Sequence, residues 1–149
     1  MVDAIGTSSG AKAPVSFWIV AILSLLWNAM GCADFTMTVT RNATYLAGFP
    51  PEMTNWLDSA PSWTLIPWAL GVWGALAGSL FLLLRSGWAV TAFAASLIGL
   101  AVSQIWQFSS NMPDSMTSPG SVAFTVTIWG VALALLWYSV RMRRAGVLR

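Results

Sequence analysis

The chain has 149 residues, of which 57% are hydrophobic and only 8% charged. A soluble domain is about one quarter charged because its surface must be wetted, so most of this surface is expected to face lipid. A net charge of +2, one cysteine and no histidine argue against a nucleic-acid partner, rule out an intramolecular disulfide and remove the usual zinc and haem ligands. No cofactor and no metal site are expected.

The apolar residues fall into four long blocks, at 17–39, 63–84, 88–106 and 122–140. Each is close to the ~20 residues that a helix needs to cross the hydrocarbon core. None shows the alternation of a barrel strand. The predicted fold is therefore an all-α membrane protein, an antiparallel four-helix transmembrane bundle forming one domain over residues 1–149.

The first block contains two polar residues. Asn28 lies at its centre, and Asp34 sits six residues farther along, about 9 Å toward the second end. An ionisable residue within a span is by default a functional-site hypothesis; the alternative is that Asp34 stays wet among the headgroups. Its helical face also carries Trp27, Gly31, Thr38 and Arg41. Turning that face inward brings Gln104 within reach, so Asp34 is expected to find a partner among Gln104, Thr38, Trp68 and Arg41. Ala29-Met30-Gly31-Cys32 loosely resembles the residues before a lipidated bacterial cysteine, but an uncleaved span is the favoured reading.

Between the first two blocks, Pro51 opens a predicted short helix to Ser59, with Met53, Trp56 and Leu57 on one face. It either lies on the membrane surface or packs on its own protein. In the second block Gly71, Gly74 and Gly78 form a small-residue face with Ala75 and Ser79, and the third block answers with Ala92, Ser96, Gly99 and Ser103. Small residues four apart let helix backbones approach closely in lipid. Arg85-Ser86-Gly87 ties the two blocks into a hairpin, so they are expected to pack on each other; homodimerisation through Gly74 and Gly78 is the rival. Gln104 and Gln107 enter the third block from the side that holds Asp34. Thr125 and Thr127 do the same in the fourth.

With four spans, Lys12, Arg85, Arg141, Arg143, Arg144 and Arg149 share one side and Arg41 alone lies on the other, six of the seven basic residues together. The positive-inside bias places both termini in the cytoplasm and the 51–59 helix outside. Of the ten tryptophans, most fall near the span ends as interfacial belts, whereas Trp27, Trp73 and Trp129 lie mid-span, as core filler or as walls of a pocket.

The stretches FWIVAILSLLWNAMGCADFTMTVTRNATYLAGFP and WALGVWGALAGSLFLLLRSGWAVTAFAASLIGL, with Trp27-Asn28, the segment around Asp34 and the Gly71 to Arg85 run, resemble a family of small bacterial four-span inner-membrane proteins. Its members are often labelled hypothetical and sometimes "sugar transporter". The resemblance covers about residues 15–108 and implies a bacterial inner membrane.

No catalytic constellation is present, so the chain is not read as an enzyme. Two functions remain. One is an accessory or scaffold subunit bound to membrane lipids and to another membrane protein. The other is an oligomeric small-molecule transporter or binding protein. Its pocket would draw on Asp34, Asn28, Trp27, Thr38, Trp68, Gln104 and Gln107 in the outer half.

Overall fold

A computed structural model describes residues 11–149, which form helices joined by turns, with no strand among the described residues. Helix α1 spans Val15–Val39, α2 Ala43–Leu46, α3 Pro51–Ser59, α4 Leu65–Leu83, α5 Trp88–Ser109, α6 Asp114–Thr117 and α7 Pro119–Arg144. A 3-10 turn, Ser62–Thr64, leads into α4. Four of these units (α1, α4 with its leading turn, α5 and α7) are long and apolar enough to cross a membrane. The predicted spans agree with them to within a turn at each end. The largest difference is in α7, which runs on to Arg144 and starts at Pro119, where proline suits the first helical position and the Ser118 side chain accepts a hydrogen bond from the Ser121 amide.

The hairpin of α4 and α5 is the most extensive contact in the molecule, followed by α1 on α4 and then α7 on α5. Its cause is the small-residue face. The Ser96 hydroxyl donates to the Gly71 carbonyl across the interface at 2.6 Å. A Cβ placed on Gly74 would lie 3.3 Å from Ser96, and one on Gly78 would lie 2.7 Å from the Phe93 ring. Gly78, Gly99, Ser96 and Ser103 are all buried. These glycines and serines thus face the hairpin within one chain.

Helix α1 is held to α4 by polar groups. The buried Asn28 amide donates to the Ser79 hydroxyl at 2.8 Å and to the Ala75 carbonyl at 3.2 Å. One turn on, the Cys32 thiol donates to the Val72 carbonyl at 3.3 Å. An amide in a membrane interior has to find a partner in protein, and here α4 supplies it.

At the Arg85 end of the bundle the chain closes on itself. Phe17, Ala21, Leu82, Ala89, Phe93 and Leu135 form a buried core, joined by Val147 and Leu148. The α7 C-terminus turns through Gly146 at φ +73°, with the Val147 amide bonded to the Met142 carbonyl and the Gly146 amide to that of Arg143. This is a Schellman cap, and it directs Val147 back onto the last helical turn. Arg85 fastens the arrangement, donating from Nε to the Val147 carbonyl and from Nη2 to that of Ala11. Ala11 and Val147 are therefore held together at one end of the bundle.

The α3 end is built differently. Helix α7 has only two buried residues, Leu135 and Ser139, both in its Arg85 half. It meets α1 through aromatic side chains: Phe17 stacks on Tyr138 near the Arg85 end, and Trp27 approaches Phe124 toward the middle. Beyond that point α4 and α5 stay closely packed at Pro67, Gly71 and Gly99, and a cavity opens between them, α1 and α7.

Candidate functional site

The cavity occupies the axis of the bundle in the α3 half and measures about 1320 Å³. Its walls come from α1, α4, α5 and α7, and residues of the α2–α3 segment close over it. The small residues that draw α4 and α5 together explain the space. Gly71, Ala75, Ser96 and Ser103 all line it, and none carries a side chain long enough to reach the axis. Gly31 adds to the gap from α1; a Cβ there would have only Val72 nearby, at 3.7 Å.

Asp34, Asn28, Trp27, Thr38, Trp68, Gln104 and Gln107 all line this one cavity. They do not act alike. Asn28 is committed to α4, as described above, and Thr38 is buried. Trp68 is held edge-on by Phe35, ring centroids 5.0 Å apart. Gln104 donates to Gln107 at 3.3 Å, which leaves the Gln104 carbonyl and the Gln107 amide free to bond elsewhere. The Ser103 hydroxyl is buried with no hydrogen-bond partner among the described residues.

Asp34 is half-buried, and its partner is none of the four expected. Its carboxylate accepts a hydrogen bond from the Tyr45 hydroxyl. Gln104 is turned to Gln107, while Arg41 reaches away to Asp58 with N–O 2.5 Å. The reason lies in the end of α1. Arg41 adopts a left-handed conformation, φ 55°, at the position after the helix cap, which sends its side chain outward toward α3. The same reversal returns the chain through α2, begun by Asn42, whose side chain caps the Tyr45 amide at 3.0 Å. Tyr45 is thereby delivered to Asp34. Burial, then the hydrogen bond, then the carboxylate charge push the Tyr45 hydroxyl up to about 12, so it remains a protonated donor throughout the neutral range.

The cover over the cavity is latched twice more. Trp56 of α3 packs against Trp106 of α5 with ring centroids 5.0 Å apart and donates to the Ser110 hydroxyl at 3.2 Å. Met53 and Leu57 line the cavity beside it. The apolar face of α3 is thus turned onto its own protein. Tyr45, Phe49 and Trp56 were missing from the residues the sequence singled out for the site. Helix α2 is one turn long, too short for any periodic pattern; only the apolar face of α3 pointed to this cover.

Trp73, one of the mid-span tryptophans, is instead 48% exposed on the outside of α4. No family model, curated protein or solved structure matches the chain. The geometry above is therefore the basis for its function.

Proposed function

We propose that this small integral membrane protein binds a small amphiphilic molecule in the cavity of its α3 half, as a binding protein or as one protomer of an oligomeric transporter. The observation that carries this is the cavity itself. Pockets for small ligands commonly span roughly 300–1,000 Å³ and are mainly apolar with a few convergent polar groups. This one is larger, mainly apolar, and has Asp34, Tyr45, Ser103, Gln104 and Gln107 in or at its wall. The cavity is open at its sides, where exposed Met30, Met37 and Phe124 line it, so molecules of the bilayer or its surface can enter. In a bilayer it takes up an occupant. A free sugar, which needs hydrogen bonds on all sides, suits so apolar a wall less well than an amphiphile does.

The proposed setting is a bacterial inner membrane, with the Arg85 end in the cytoplasm and the cavity in the outer half. The Lys and Arg asymmetry supports it. A single four-helix unit has little room for alternating access, so transport requires a second copy. The protein is proposed to be non-enzymatic.

The test is native mass measurement of protein extracted gently from its membrane. A retained small molecule that is lost in Gly31→Leu, a variant that fills the cavity at a position with room, is the expected result. Equal retention by both proteins, or no adduct in either, would remove the cavity from consideration.

A second reading, an accessory subunit, is favoured by one feature of α7. Ala123, Thr127, Gly130 and Ala134 form an exposed small-residue stripe, and a Cβ on Gly130 would meet nothing within 4 Å. Such a stripe suits a neighbouring transmembrane helix, whether a second copy or another protein. In the same mass measurement, a foreign protein subunit in place of a small molecule supports this reading.

A further inference from the structure

We propose that the occupant of the cavity is an organic cation, a bulky lipophilic ammonium or phosphonium-like species; this deepens the cavity reading and rests on it. The argument is one of charge. Asp34 is the sole carboxylate in the cavity wall among the described residues. Arg41 is the sole basic side chain there, and its charge is already matched by Asp58. No lysine or arginine among the described residues comes within salt-bridge distance of Asp34. The Tyr45 hydroxyl orients the carboxylate and supplies one hydrogen bond, but it brings no positive charge. A net negative charge is therefore left facing a mainly apolar space.

The rest of the wall favours the same sign. Trp27, Tyr45, Trp68, Trp106 and Phe124 line the cavity, and aromatic faces attract cations, most strongly when the cation is desolvated. An inorganic cation would find a single carboxylate and no cluster of oxygen ligands, whereas hard cations take six or more. The cavity volume, about 1320 Å³, is also far larger than a metal ion or a simple ammonium needs. A cation carrying several apolar groups satisfies both the charge and the volume.

The experiment uses the full-length protein in zwitterionic lipid nanodiscs, with empty nanodiscs as the blank for partition into lipid. Three probes of similar shape are titrated by calorimetry: tetraphenylphosphonium, tetraphenylborate and neutral triphenylphosphine oxide. The cation is expected to bind about tenfold or more tightly than the neutral probe, and the anion not at all. Asp34→Asn should bring the cation down to the level of the neutral probe. Tyr45→Phe keeps both the charge and the ring, so it should keep the preference for the cation.

Equal binding of all three probes, or a cation preference that survives Asp34→Asn, would overturn the proposal while leaving the cavity as a binding site. Binding of none of the three probes, with wild type and Gly31→Leu alike, would overturn the cavity reading as well. Should Asp34→Asn fail to fold, Asp34→Glu serves in its place: it must retain the cation preference, and equal binding of cation and neutral probe would count against the proposal.

Discussion

A Cβ at Gly99 would lie 2.5 Å from the Pro67 carbonyl oxygen and 2.6 Å from the Gly71 amide nitrogen. Both obstacles are backbone, so neither can swing aside. Gly99→Ala should therefore destabilise the protein by about 1–3 kcal/mol, the usual cost of overpacking a tight core. Gly130→Ala, which meets nothing within 4 Å, should leave stability unchanged or raise it slightly. Thermal melting of the two variants in one detergent checks the contrast; equal melting temperatures would mean that the hairpin is not as close as described.

Asn28 is the next test, because it lines the cavity and yet spends its amide on α4. Asn28→Leu leaves the Ser79 hydroxyl bonded to the Ala75 carbonyl within its own helix, so no buried hydroxyl is orphaned. The loss is then the interhelical hydrogen bonds alone, on the order of 0.6–2 kcal/mol in a membrane. Unfolding in a detergent titration should report that loss, and occupant retention should be unaffected. A stable variant that no longer retains an occupant would move Asn28 from the packing to the binding site.

Tyr45 gives a prediction in the alkaline range. Its hydroxyl loses a proton near pH 10 in the unfolded chain but only at about 12 in the folded protein. Between those values the folded state holds the extra proton, so stability is constant below pH 10 and falls as pH rises toward 12. Absorbance at the phenolate band should show a late step that disappears in Tyr45→Phe, with the alkaline loss of stability reduced in the same variant. A wild-type protein whose tyrosines both titrate near 10 would break the link between Tyr45 and Asp34.

The bundle was legible because each of its causes is local or periodic. Long apolar runs define spans, Pro51 and Pro119 mark helix starts, and glycines four apart mark a close helix pair. Seven of the residues that line the cavity could be named because polar groups in spans are few and mark the face that turns inward. Their partners could not. Asp34 finds Tyr45 rather than Arg41 because of one left-handed residue, and a φ of 55° at an arginine leaves no trace in composition or spacing. Arg85, left-handed in the same way, carries the other unforeseen contact. The docking of Val147 and Leu148 beneath it depends on a cap at Gly146 that only the folded backbone reveals.

The placement of the two buried residues of α7 has a mechanical consequence. Leu135 and Ser139 anchor the helix near one end, while the arm from there to Ser121 has no buried residue and meets α1 only where Phe124 approaches Trp27. That arm is about 21 Å long at 1.5 Å per residue. A tilt of only 5° about this anchor therefore moves its far end by about 2 Å, which is enough to widen or narrow the seam against α1. Such a tilt leaves the glycine-packed hairpin of α4 and α5 untouched. The fourth helix is thus fixed to the other three at one end and borders the cavity at the other.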